Sequence, residues 1–161
     1  MTPSEIALRF GAAVVVGGAI GLNRDLRGKP AGVRTHALVS LGSAVVTVVA
    51  ATVAAPALDT AAVSRVMQGI ITGIGFLGAG VILHEESGRR VRGLTTAATI
   101  WIVAALGIAC GVADWAPVGL GVGFTLAVLV LGGPMERACH RLLGSGHRDD
   151  RQEDGPAPPP S

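Results

Sequence analysis

Apolar residues run along this chain in five long blocks, at about 6–22, 35–55, 67–83, 94–113 and 115–133, separated by short charged or Pro/Gly-containing connections. A helix needs about 20 apolar residues to cross a hydrocarbon core about 30 Å thick. The blocks therefore predict five membrane-spanning helices. Those at 6–22 and 67–83 are short, and the helix containing the second is expected to start earlier, near Asp59, with Asp59 and Thr60 as N-cap candidates. The pattern predicts an all-α fold, a polytopic membrane helical bundle, with a transmembrane domain at 1–133 and a tail at 134–161.

Charge sets the expected orientation. With the spans threaded alternately, eleven of the thirteen Lys and Arg residues fall on one side: Arg24, Arg27, Lys29 and Arg34; Arg89, Arg90 and Arg92; and Arg137, Arg141, Arg148 and Arg151. Only Arg9 and Arg65 fall on the other. The positive-inside rule then places the N-terminus outside and the C-terminus in the cytosol. The first block lacks a basic leader and carries Glu5 and Arg9, so a retained helix is expected rather than a cleaved signal peptide. A hydrophobic share of 50%, gathered in long runs, excludes a soluble core protein.

The remaining composition narrows the function. A net charge of +2 is accounted for by topology and anionic headgroups, and no nucleic-acid role is expected. Cys110 and Cys139 belong to opposite membrane faces, which favours free thiols. From about Gly144 the tail mixes charges and ends in a Pro-rich run, a composition expected to be disordered. No nucleophile-and-base pair or metal-ligand set is apparent, so neither an enzyme nor a cofactor is expected.

Small residues recur at helical spacing. Gly17 and Gly21, Gly69 and Gly73, Gly107 and Gly111, and Gly119 and Gly123 each mark one helix face on which backbones can approach closely, within the chain or in a homo-oligomer. The densest run holds Gly73, Gly75, Gly78 and Gly80. Each glycine weakens a helix by about 1 kcal/mol relative to alanine. Two uses are open: tight packing against neighbours, or a locally opened helix whose carbonyls line an ion path. Gln68 and Thr72, one turn apart, are expected to hydrogen-bond to other helices.

Polar residues gather between spans, in the run Asn23-Arg24-Asp25 to Arg34-Thr35-His36 and in the run from His84-Glu85-Glu86 to Arg92-Gly93-Leu94-Thr95-Thr96. Both end where a helix begins, bringing two positive helix ends and their free amides beside Arg24, Arg34 and Arg92. An anion-accepting pocket with Asp25 as internal counter-ion is one reading. The other is that the arginines fix topology and meet lipid phosphate while Thr95 or Thr96 caps the following helix. His36, His84, Glu85 and Glu86 share no recognised metal-ligand spacing.

Four ordered blocks resemble signatures of the MgtC/SapB family: Gly21-Leu22-Asn23-Arg24-Asp25, Ala31 to Val39, Gly73 to Ile82, and Val91-Arg92-Gly93-Leu94-Thr95-Thr96-Ala97-Ala98. The resemblance covers about 6–133. It implies a multi-pass protein of the bacterial inner membrane, in a family associated with magnesium uptake, whose virulence-related members restrain the proton-translocating ATP synthase. By position it implies functional roles for Arg24, Asp25, Arg34, Thr35, His36, Arg92, Gly93 and Thr95, and for the glycines from Gly73 to Gly80. Many relatives carry Glu where Asn23 stands, and virulence-type members carry a folded cytosolic C-terminal domain where this chain has a short tail.

The expectation is a non-enzymatic regulator of membrane energetics or of magnesium homeostasis. It would associate through its glycine seams (Gly69, Gly73, Gly75, Gly78, Gly80, Gly107 and Gly111) with an integral-membrane partner such as the ATP synthase. A small-ion transporter is the alternative, and a lipid-organising protein a third class.

Overall fold

The five apolar blocks form α1 (Pro3–Leu26), α2 (Val33–Ala54), α3 (Thr60–Val81), α4 (Leu94–Val112) and α5 (Trp115–Leu143), each long and apolar enough to cross a membrane. The computed structural model describes residues 1–54, 60–84 and 91–143. Asp59, the loop residues Glu85, Glu86, Arg89 and Arg90, and the tail from Gly144 lie outside them, as does the side chain of His84.

Local chemistry sets the helix ends. α1 starts on a capping box: Thr2 Oγ1 accepts from the Glu5 amide at 3.3 Å, the Glu5 carboxylate accepts from the Thr2 amide at 2.7 Å, and Pro3 fills the first turn, where an amide hydrogen would have no partner. At its other end the chain turns back, with the Arg27 and Lys29 amides both bonded to the Arg24 carbonyl at 3.1 Å. Gly28 and Ala31 take positive φ in that turn. α3 is an unbroken helix through all its glycines, so the opened-helix reading does not describe this structure. Between α3 and α4 the two-residue strands β1 (Leu83–His84) and β2 (Val91–Arg92) pair antiparallel, with Leu83 opposite Arg92.

The packed centre is made by α1, α2 and α4. Ala13, Val16, Gly17, Ile20, Gly21 and Arg24 form the buried face of α1, at the three-to-four-residue spacing of one helix side. On α2 the buried face is mostly polar, with His36, Ser40, Ser43 and Thr47, while Leu38, Val46, Val49 and Val53 point outward. That inversion suits a bilayer. Lipid tails solvate apolar side chains as well as a protein core does, but offer polar atoms no partner. Ser43 and Thr47 satisfy their hydroxyls on the carbonyls one turn back, at 2.9 and 2.8 Å.

Missing side chains bring the backbones together. A Cβ on Gly107 would collide with the Ser40 carbonyl, and one on Gly111 would stand 2.7 Å from Thr47 Cβ, so α4 lies directly on α2. Gly17 meets the backbone of His36 in the same manner, and a Cβ on Gly21 would stand 2.6 Å from Val33 Cα. α3 is far less enclosed, with Gly78 its only buried residue. A Cβ there would find Ala97 Cβ at an ordinary 3.6 Å.

The chain divides into two compact units, Met1–Leu126 and Ala127–Ser161. In the first, α5 meets α4 where a Cβ on Gly121 would touch the Leu106 side chain. The described part of the second is the continuation of α5, with Pro134 inside the helix and Glu136, Arg137 and Arg141 beyond it.

Candidate functional site

Arg24 anchors the site from the last turn of α1. The residue is 3% exposed, and its Nη2 donates to Thr96 Oγ1 of α4 at 2.6 Å. One turn further along α4, Thr99 Oγ1 lies 2.8 Å from the Thr96 carbonyl and 3.1 Å from His36 Nε2 of α2. The other ring nitrogen, Nδ1, lies 2.9 Å from the Gly32 carbonyl. Arg24, Thr96, Thr99 and His36 thus join three helices through one buried polar chain.

Donor arithmetic gives that chain two settings. The Gly32 carbonyl can only accept, so Nδ1 carries a hydrogen. Thr99 has one hydroxyl proton. With Nε2 bare it must point to the ring; with Nε2 protonated the ring donates, and Thr99 gives its proton to the Thr96 carbonyl.

Arg9 clamps the opposite end. Its Nη1 donates to the Gly111 carbonyl at 2.7 Å, in the last turn of α4. Arg9 and Arg24 are as far apart along α1 as Gly111 and Thr96 are along α4, so the two bonds fix the antiparallel register of these helices. The two ends differ electrically. Arg9 meets the negative end of the α4 dipole, whereas Arg24 lies against its positive end.

The residues picked out in the sequence separate into groups. Arg24 and His36 are in the buried chain. Asp25 is exposed, and its carboxylate accepts from the Val33 amide at 3.0 Å, which caps α2 from across the turn; a Cβ on Gly32 would collide with that carboxylate. Arg34, Thr35, Arg92 and Thr95 are exposed. Gly93 is the N-cap of α4, with φ +92° and its Cα against the Val81 carbonyl, where no side chain fits. Neither Thr95 nor Thr96 caps α4: the helix begins at Leu94 with no side-chain cap, and Thr96 is engaged by Arg24.

The glycine pairs part company too. Gly107 and Gly111, with Gly17 and Gly21, are closed against α2. Gly69, Gly73, Gly75 and Gly80 of α3 have nothing within 4 Å of an added Cβ among the described residues. Gly69 and Gly73 line an open groove of about 420 Å³ with Leu38, Val39, Gly42 and Ser43 of α2. Gln68 and Thr72 are exposed on α3 and make no interhelical hydrogen bond among the described residues. Sequence reasoning missed Arg9, Thr99 and the Ser40-Ser43-Thr47 stripe. The available signal was polar residues recurring every three or four positions after His36 in an otherwise apolar span.

The fold and site define a multi-pass helical membrane protein that locks one arginine inside each end of its α1–α4 contact. The chain belongs to the MgtC family, whose model matches residues 10–138. It is 47% identical over 132 residues to SrpB of Synechococcus elongatus, covering 77% of this chain and 72% of that protein. It is 42% identical over 132 residues to MgtC of Brucella abortus, covering 82% and 53%. Identity is also 42% over 112 residues, covering 67% and 51%, to YhiD of Escherichia coli K12, whose name proposes a magnesium transporter. The chain spans about half the length of these MgtC and YhiD relatives. No solved structure matches it.

Proposed function

We propose that this protein is a non-enzymatic regulator of magnesium homeostasis and membrane energetics in a bacterial inner membrane, with its N-terminus outside and its C-terminus in the cytosol. It acts by docking the open face of α3 on a membrane helix of a partner, for which the family resemblance points to the proton-translocating ATP synthase. The observation that carries this reading is the unequal use of identical glycine spacings. Gly107 and Gly111 are consumed inside the bundle, while Gly69 and Gly73 lie bare beside a groove. In lipid, a bare small-residue face is where a second helix gains close van der Waals contact.

The test is ATP-driven proton pumping in inverted vesicles with matched synthase content, with and without this protein. Wild type is expected to slow pumping. Gly73→Leu is expected to lose that effect and its crosslinks to the partner while keeping normal abundance, because a Cβ there has no described atom within 4 Å. Gly107→Leu is expected to lose abundance itself. Unchanged pumping with wild type sinks the regulator reading.

A small-ion transporter is the second reading, favoured by the buried polar stripe His36-Ser40-Ser43-Thr47, in which Ser40 Oγ has no partner among the described residues. Against it, Arg24 stands at one end of that stripe, and Gly107 and Gly111 press onto it. Magnesium flux into liposomes holding the purified protein separates the two.

A further inference from the structure

We propose that the junction of α1 and α4 around Arg24 binds a phosphoryl anion, supplied by a lipid headgroup or by free phosphate. The two arginines of this helix pair are unequally matched. Arg9, at the other end of the same helix pair, meets a helix C-terminus and is matched by the Gly111 carbonyl. Arg24 meets a helix N-terminus, the end that repels a cation. The residue is 3% exposed, and among the described residues only the neutral hydroxyl of Thr96 accepts from its guanidinium. Nε is enclosed, with no partner among the described residues. A guanidinium offers five N–H donors in one plane, and the Thr96 hydroxyl matches one of them.

Further donors converge on the same place. α4 opens at Gly93 with no side-chain cap, and the amides of its first turn have no acceptor within the helix. Thr96, which Arg24 grips, belongs to that turn, so the guanidinium and the bare helix end adjoin. Arg27 is the C-cap of α1, its amide on the Arg24 carbonyl at 3.1 Å, which roots a second guanidinium one turn away. Asp25, the nearest carboxylate in sequence, is engaged at the Val33 amide.

An anion resolves this excess of donors. A phosphoryl group suits it better than a carboxylate because its oxygens are distributed around a tetrahedron, and can accept from the arginine fork on one side and from helix amides on another. Location agrees. α1, with 24 residues, is about 36 Å long against a core of about 30 Å, and Arg24 is in its last turn, at headgroup depth.

The test uses the full chain purified in dodecyl maltoside, which contains no phosphate. Inorganic phosphate is titrated by calorimetry, and retained phosphatidylglycerol is counted by native mass spectrometry, for wild type, Arg24→Gln, Arg27→Gln and Arg34→Gln. One saturable site is expected in wild type. Arg24→Gln should weaken it by at least about tenfold, as for one lost charge-assisted hydrogen bond; Arg27→Gln should weaken it less, and exposed Arg34→Gln should leave it within about twofold. Phosphate that binds and displaces the lipid identifies a free phosphoryl ligand, and lipid retention without phosphate binding identifies a headgroup site; either supports the proposal. If Arg24→Gln does not fold, Arg27→Gln against Arg34→Gln decides. No saturable binding of either probe to wild type overturns the proposal, as does equal weakening by Arg34→Gln.

Discussion

Thr95 and Thr96 are neighbours in sequence with opposite surroundings, and that difference gives a sharp test of the Arg24 contact. Thr96→Val keeps shape and volume while removing the oxygen that accepts from Arg24 Nη2 at 2.6 Å. The Thr96 carbonyl, which accepts from Thr99, is untouched. The loss is a hydrogen bond to the charged group of a residue that is 3% exposed and has no other acceptor among the described residues. Such bonds contribute about 1.5–3 kcal/mol in water-soluble proteins. Interhelical bonds in membranes average about 0.6 kcal/mol and reach about 1.7, because the unfolded helices find other partners in the bilayer. The burial of the guanidinium places this bond where the ranges overlap, at about 1.5 kcal/mol, or roughly a tenfold fall in the folding constant. The assay is reversible unfolding in mixed micelles of rising SDS content in phosphate-free buffer, followed by the fluorescence of Trp101 and Trp115. Exposed Thr95→Val should cost less than about 0.5 kcal/mol. Equal costs for the two variants, or a Thr96→Val cost below about 0.5 kcal/mol, would refute the assignment.

Two further outcomes follow from the helix ends. Arg9→Met removes the donor to the Gly111 carbonyl from a part-buried contact at the negative end of α4, and should destabilise the protein by about 1 kcal/mol in the same assay; a neutral result would show that solvent or lipid replaces the clamp. Ala113 ends α4 at φ +62°, with its amide on the Cys110 carbonyl at 3.1 Å. Ala113→Gly should raise stability by up to about 1 kcal/mol by relieving the left-handed conformation, and a fall would show that the alanine methyl makes a contact worth more.

Much of this protein is legible in its sequence because a bilayer makes length and apolarity local requirements. Each of five spans has to satisfy its own backbone, so the number and approximate places of the helices follow from runs of residues alone. Arg24 and His36 were also legible as candidates, as polar residues at the edges of apolar blocks. Rotation about each helix axis was not. Successive residues turn by about 100°, so Thr95 faces out while Thr96 and Thr99 face Arg24 and His36, and nothing in the run of letters orders these threonines.

Equal motifs likewise met unequal fates. Gly107 and Gly111 press on α2, while Gly69 and Gly73, with the same spacing, have nothing within 4 Å of an added Cβ among the described residues. Spacing determines that a face is smooth; which smooth face is covered depends on how α1, α2 and α4 pack together. The tertiary structure also gave Arg9 and Arg24 opposite settings, because α4 runs antiparallel to α1 and offers its negative end to one arginine and its positive end to the other. Span length is a property of a segment, whereas burial, register and the sign of a neighbouring dipole are properties of a pair of segments.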